Sequence, residues 1–342
     1  MTRIVVDKFA SAVAGTGLSG PVETVRTFVP EPGLVVAVRA LTENPMYPDV
    51  ELADGSFSRV KPGDVIVGVL GSRQALRGYV GYSPVKAAAG DRLQLLNLGG
   101  VLGRCIDGHR DLGPAIDVEL LGAVVRGRRP VTLKQHALPE VPVLGATKPV
   151  ILVIGSCMNV GKTAASVEIA RLFTKRGVRV GAAKVSGVAC LRDVRRMQLA
   201  GAVKALSFVD CGVPSTVDAD DVSGIARSLV AALDDACDLI VVELGDGILG
   251  HYHVDSIFED RSFMANVDAV VYCASDLVSA WGGREALSRK GVPVHVICGP
   301  ATDNCAGTEW IESTLGIPAI NALTEPEKLV DLLAARVQAQ HA

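Results

Sequence analysis

The sequence predicts a two-part α/β protein. A smaller β-rich domain, a barrel or a sandwich, occupies residues 1–130; a linker covers 131–148; and an α/β domain with a mostly parallel sheet covered by helices on both faces fills 149–342. Three observations predict this. After Pro149, apolar runs without polar alternation recur between helix-length segments, as strands buried on both faces of a parallel sheet do. Before residue 130, short strand-like runs recur with Gly or Pro between them, which suits an all-β unit. Third, Ile151–Thr163 reads Ile-Leu-Val-Ile-Gly-Ser-Cys-Met-Asn-Val-Gly-Lys-Thr and runs into the helical stretch Ala164–Arg176. That is a buried strand, a short polar loop and a helix start.

Taken in order, Gly33–Arg39 is a strand. Val50–Val60 alternates polar and apolar residues around Asp54-Gly55, a hairpin signal. Lys61–Asp64 is a turn, and Val65–Leu70, Leu76–Gly81 and Asp91–Asn97 are further strands. Gly99–Gly103 is either a close backbone approach or a bend. The stretch Gly127–Pro149 is proline-rich, with few periodic apolar runs, and reads as the linker. Beyond it, Val178–Ala183 is a strand. Asp221–Ala236 carries Val222, Ile225, Ala226, Leu229, Val230 and Leu233 at helical spacing. Asp238–Glu243, Asp268–Ala274, Val292–Cys298 and Ile317–Asn321 read as strands, and a last helix opens at Thr324 with Glu327 completing a capping box.

At 342 residues with 49% hydrophobic and 21% charged residues, the chain is globular and long enough for two cores. A net charge of −3 gives no basic footprint, so nucleic acid is not the expected partner. No apolar stretch approaches the ~18 residues of a membrane span, and the start is broken by Asp7 and Lys8, so no membrane association and a cytoplasmic location are expected. The eight cysteines are scattered without a C-x-x-C pair and read as reduced thiols.

The loop predicts its own chemistry. Glycines let backbone N–H groups turn toward an anion, and a helix start adds about half a positive charge. Gly155, Ser156, Asn159, Val160 and Gly161 form the phosphate cradle; Lys162 supplies a point charge to the β/γ phosphates, and Thr163 can place its hydroxyl on Mg²⁺. At the ends of later strands, Lys184 can offset charge on a transferring phosphoryl group, and Glu243 stands where the metal needs a second protein ligand. Asp246 is a further ligand or a turn residue. The arginines 192, 195 and 196 around Asp193 are an anion-binding group or a solvated helix face. His251-Tyr-His253-Val-Asp255 would share one face on a strand, but in a loop it means little. Asn304 and Asp276 have turn roles as their alternatives.

The loop reads G-x5-G-K-T, one residue longer than the common spacing, and in this it resembles dethiobiotin synthetase and its relatives among the SIMIBI-class P-loop proteins, which include the cobyrinic acid amide synthases. Lys184-Val-Ser-Gly187 and Glu243-Leu-Gly-Asp-Gly247 resemble that family's lysine and glutamate segments, with Val185 in place of the usual proline and Asp246 without a counterpart. The resemblance implies catalytic roles for Lys162 and Lys184, metal ligation by Thr163, Asp193 and Glu243, base recognition at Asn304, ATP and Mg²⁺ as cofactors, and a homodimer. The function it implies is an ATP-dependent ligase that activates a small anionic metabolite; a small-molecule kinase and a regulatory or metallochaperone NTPase are the alternatives. The resemblance covers Pro149 to about Leu333, and residues 1–130 match no family.

Overall fold

In the computed structural model, which describes residues 1–341, the chain forms two compact units. The first unit holds Met1–Leu138 together with Val188–Arg192 and Phe208–Asp220; the second holds Pro139–Gly187, Asp193–Ser207 and Asp221 onward. The division is therefore not a single cut, because two segments from beyond residue 149 cluster with the first unit.

In the first unit, the choice between barrel and sandwich resolves to a barrel. Val35–Ala40 pairs with Val65–Leu70, which pairs with Val101–Gly108; that strand pairs with Arg92–Leu95, which pairs with Asp117–Arg126, and this last returns to Val35–Ala40. The ring is closed, so these strands present no free edge. One pair, Val65–Leu70 with Val101–Gly108, is parallel. The strands are apolar on both faces for a physical reason. Val36, Val38, Ile66 and Leu70 pack with Leu93, Leu102 and Leu120 in one cluster. Their alternates Val35, Ala37, Val67 and Val69 pack with Ala12, Val13, Val131, Leu133 and Ala189 in another. The hairpin at Asp54-Gly55 forms as expected, between Asp49–Glu51 and Phe57–Arg59. Asp117–Arg126, the longest strand at 10 residues, escaped the sequence pattern because a register shift at Leu120/Gly122 breaks its alternation. At Gly99 the close approach is real: a Cβ there would stand 1.8 Å from the Ala189 carbonyl oxygen.

In the second unit the strands, numbered along it, are β1 (Val150–Gly155), β2 (Val180–Lys184), β3 (Lys204–Ser207), β4 (Leu239–Glu243), β5 (Val267–Cys273) and β6 (Val296–Cys298). They lie side by side in the order β3-β2-β4-β1-β5-β6, every neighbouring pair parallel. The helices are α1 (Lys162–Lys175), α2 (Arg192–Leu199), α3 (Val222–Asp234), α4 (Asp255–Glu259), α5 (Arg261–Met264), α6 (Leu277–Arg289), α7 (Cys305–Leu315) and α8 (Pro326–His341). On one face, Ile169, Leu172 and Phe173 of α1 and Leu329, Val330 and Leu333 of α8 bury against Ile151, Val153, Val241 and Val271. On the other, α3 closes over Gly181, where a Cβ would stand 3.4 Å from Leu233 Cβ.

The expected strand Val292–Cys298 forms only over Val296–Cys298, and two further differences appear. β3 is an edge strand that the sequence does not announce, since Lys-Ala-Leu-Ser is short and half polar. Ile317–Asn321 is reduced to one bridge, Ala319 to Ile297, because Pro318 has no amide hydrogen to continue the ladder. No helix among the described residues is long and apolar enough to cross a membrane.

Candidate functional site

β2, β4 and β1 are neighbours in the sheet, so their carboxyl ends bring three separated stretches of sequence together. From β1 the chain turns into the loop, pinned at its start where the Ser156 amide donates to the Cys273 carbonyl (2.9 Å). Asn159 (φ 61°) and Gly161 (φ 90°) both adopt left-handed conformations, which turn the chain directly into α1 at Lys162. Val160 is buried and anchors the loop. Lys162, only 5% exposed, folds back so that its Nζ donates to the Cys157 carbonyl (2.6 Å). Burial, and then the charge of Lys184, pulls the Lys162 ammonium below the usual lysine range.

At the second residue of α1, Thr163 Oγ1 donates to Glu243 Oε1 at 2.8 Å. Glu243 closes β4 and is fully buried. Lys184, at the end of β2, also bonds Glu243 Oε1, and it pairs with Asp193 Oδ2 at 3.0 Å. Burial draws the Lys184 ammonium down, but the two carboxylates more than offset it and its pKa is raised overall. Lys184 is therefore a held cation rather than a proton donor at neutral pH. Glu243 Oε2 is buried and has no hydrogen-bond partner in the protein.

That orphaned oxygen, on the carboxylate that Thr163 already touches, fits a divalent cation: a hydroxyl and a carboxylate are the hard oxygen donors that Mg²⁺ takes. Among the described residues no group of three or more His, Cys, Asp or Glu is placed to hold a metal by itself. A metal here would complete its shell with phosphate oxygens and water, as Mg²⁺ does.

The turn after β4 is fitted against both neighbouring loops. A Cβ on Gly245 would stand 2.0 Å from the Ser186 carbonyl oxygen, and one on Gly247 would stand 2.4 Å from that of Ser156. The buried Ser186 hydroxyl accepts from the Gly245 amide (2.9 Å) and donates to the Gly245 carbonyl (3.2 Å). Sequence reasoning passed over Ser186; the signal was its place one residue past the Lys184-Val pair.

The remaining candidates take the following places. Asn304 caps α7, accepting from the Gly307 amide (3.2 Å), and Asp276 caps α6, accepting from Ser279 (2.8 Å). His251 and His253 sit in a loop, His253 with φ 56°, so the one-face arrangement a strand would give does not arise. Asp255 opens α4 and pairs with Lys290 (3.0 Å). Arg195 and Arg196 are exposed on α2.

The second unit is thus a P-loop α/β domain: a parallel sheet, a glycine-bounded loop after a central strand, and a lysine and threonine opening the following helix. No family model matches the chain, and no curated protein matches it. Among solved structures it is similar to the signal recognition particle receptor FtsY from Elizabethkingia anophelis, at 17% identity over 52% of this chain and 59% of that one (TM-score 0.36). It is similar to the signal recognition particle 54 kDa protein from Aeropyrum pernix in complex with GDP, at 17% identity over 57% and 50% (TM-score 0.39). A duf1611 family protein from Anabaena variabilis is similar at 14% identity over 59% and 63% (TM-score 0.39). Each match takes in less than two thirds of the other chain, and at these TM-scores none carries an argument about function.

Proposed function

We propose that this protein binds a nucleoside triphosphate with Mg²⁺ on the loop Gly155–Thr163 and transfers its terminal phosphoryl group. The observation that carries this reading is the Thr163–Glu243–Lys184 constellation, with one buried carboxylate oxygen left unmatched beside a phosphate loop. Lys162 would exchange its bond to Cys157 for the β/γ phosphates. Thr163 and Glu243 would hold the metal, which supplies charge neutralisation on the phosphates. Lys184, fixed by Glu243 and Asp193, would offset charge on the group in transfer. Asp193 would act through Lys184 or as an outer metal ligand.

Within this reading, the sequence resemblance favours a SIMIBI-class ligase that uses ATP to activate a small anionic metabolite. A kinase, or an NTPase whose turnover drives a conformational change, uses the same residues. The barrel unit would supply substrate specificity, and a homodimer is expected by resemblance.

The test follows ATP and GTP separately by ³¹P NMR with a metabolite pool. A phosphoester signal marks a kinase, phosphate with an amide product a ligase, and phosphate alone an NTPase. Lys162→Ala is expected to lower turnover about a hundredfold or more, the scale of losing a preorganised electrostatic contact; turnover that survives it overturns the assignment of the loop.

A further inference from the structure

Arg73 lies on the two-residue strand Arg73–Gln74 of the first unit and is only 8% exposed. Its guanidinium makes one hydrogen bond, from Nη1 to the Leu96 carbonyl, and among the described residues no carboxylate lies in ion-pair reach of it. An arginine keeps its charge at every physiological pH and has five N–H donors to satisfy. A buried charge with no counter-charge and most of its donors unfilled is costly. Gly78 leaves the group its room, since a Cβ there would stand 2.4 Å from Nη2. The nitrogens left without a bond keep some accessible surface, because none of them is among the sealed, unmatched atoms of the fold.

The strand register shows what this cation stands beside. Arg73 pairs with Gly81, and Gly81 pairs in turn with Cys105, so Arg73 and Cys105 share one face of the sheet with a glycine between them. Tyr79, two residues before Gly81, points to the same face. Tyr79 and Cys105 line a cavity of about 350 Å³, together with Asp107 and His109. Gly78, against which Nη2 packs, accepts through its carbonyl from the amide of His109 on the cavity wall (2.9 Å). The Tyr79 hydroxyl is occupied, accepting from Asn44 Nδ2 (2.9 Å) and donating to the Leu112 carbonyl (3.2 Å). Its ring is therefore wall, and the charge at this face comes from Arg73.

We propose that the barrel unit binds a small carboxylate in this cavity, with the Arg73 guanidinium as its counter-charge. The planar fork of an arginine meets a carboxylate through two parallel hydrogen bonds. The Asp107 carboxylate on the wall disfavours a doubly charged phosphate, and the cavity is at the small end of ligand sites. The site lies wholly within the first unit and does not rest on the nucleotide reading.

The experiment uses the full chain without nucleotide or Mg²⁺, in a chloride buffer, with acetate, glutarate and inorganic phosphate as probes. Binding is read as a rise in Tm and by calorimetric titration. The carboxylates are expected to raise Tm, and Arg73→Lys to weaken their binding about tenfold or more, the scale of one lost hydrogen bond to a charge. Arg73→Met removes the unmatched charge; it is expected to melt no lower than the wild type in chloride and to gain nothing from the carboxylates. A second readout is alkylation of Cys105 by iodoacetamide at alkaline pH, since burial raises its thiol. Carboxylate at about ten times its Kd should slow that reaction about tenfold by mass action, while the exposed Cys305 reacts as before. An unchanged Tm with Cys105 unprotected overturns the proposal. A response to phosphate alone, or one that Lys162→Ala removes, places the anion elsewhere and also overturns it. Arg73→Met melting below the wild type in chloride makes Arg73 a structural donor to Leu96, with the same consequence.

Discussion

A carboxylate with no exposed surface is stable only where its oxygens are matched, and Glu243 has Oε1 matched by both Thr163 and Lys184 while Oε2 is matched by nothing in the protein. This asymmetry is what makes the residue a metal ligand in the proposed chemistry. Glu243→Gln keeps the shape but puts an amide where a cation would sit. It is expected to raise the Mg²⁺ concentration for half-maximal turnover about tenfold or more, read by metal titration at saturating nucleotide, since weakened ligation costs on that scale. An unchanged Mg²⁺ requirement would show that the metal is held elsewhere. Lys162, Thr163 and Glu243 were legible in the sequence because each stands at a strand end or helix start whose position the apolar pattern fixes. The Lys184–Asp193 pair was not legible as a pair. Its partners are separated by a segment that belongs to the other compact unit, and no local pattern records that.

At the scale of elements, the three loops at the ends of β1, β2 and β4 are held to one another by close backbone packing at Gly245 and Gly247 and by the Ser186 hydroxyl. Gly245 is the position where that matters most. Gly245→Ala would drive a methyl into the Ser186 carbonyl, and the expected cost is about 1–3 kcal/mol of stability, as for other overpacked sites. Both a lower Tm and weakened nucleotide affinity should appear, whereas an unaltered Tm would mean the turn can relax at no cost. A second prediction concerns His295, just before β6, whose Nδ1 accepts from the Val270 amide at 2.9 Å. Burial, and then the charge of Arg336, lowers its pKa to about 4. The unfolded chain then binds more protons than the folded one between about pH 4 and pH 6.5, so stability rises with pH across that window. It is fully present above about 6.5 and is lost as the pH falls toward about 4. His295→Asn should flatten that part of the stability–pH curve in urea titrations; an unchanged slope would assign the window to other groups. Helix α3 and strands β1, β4 and β5 were readable from period and apolar runs. β3 was not, because its four residues Lys-Ala-Leu-Ser are too few and too polar to make an apolar run, and Ile317–Asn321 reads as a strand by its apolar residues although Pro318 stops the ladder.

For the molecule as a whole, the two compact units are interleaved in sequence. Val188–Arg192 and Phe208–Asp220 complete the first unit: Ala189 is fully buried in one of its clusters, its carbonyl accepts from Asn97 Nδ2 (2.6 Å), and the Leu191 amide donates to the buried Glu51 (2.7 Å). A fragment of residues 1–148 lacks these segments and leaves the Glu51 carboxylate without the Leu191 bond. Losing buried contacts and a hydrogen bond to a charge destabilises by several kcal/mol. The fragment is therefore expected to melt at least about 10 °C below the corresponding transition of the full chain by calorimetry, if it folds cooperatively. A fragment as stable as the intact protein would show that the two segments are bystanders. From sequence, the cut between the units looked like one linker, since composition changes once, near the prolines; the two returns are short and carry no compositional mark.

What the sequence determined by itself is what local physics dictates: a buried strand, a glycine turn and a helix start in that order, the pattern on which the proposed phosphate cradle rests, and apolar runs without alternation that give a parallel sheet. What only the tertiary structure decided is which distant side chains meet at the strand ends, and that the β strands close into a barrel. Those depend on strand order and on the packing of one carbonyl against one glycine, and neither has a period that a sequence can display.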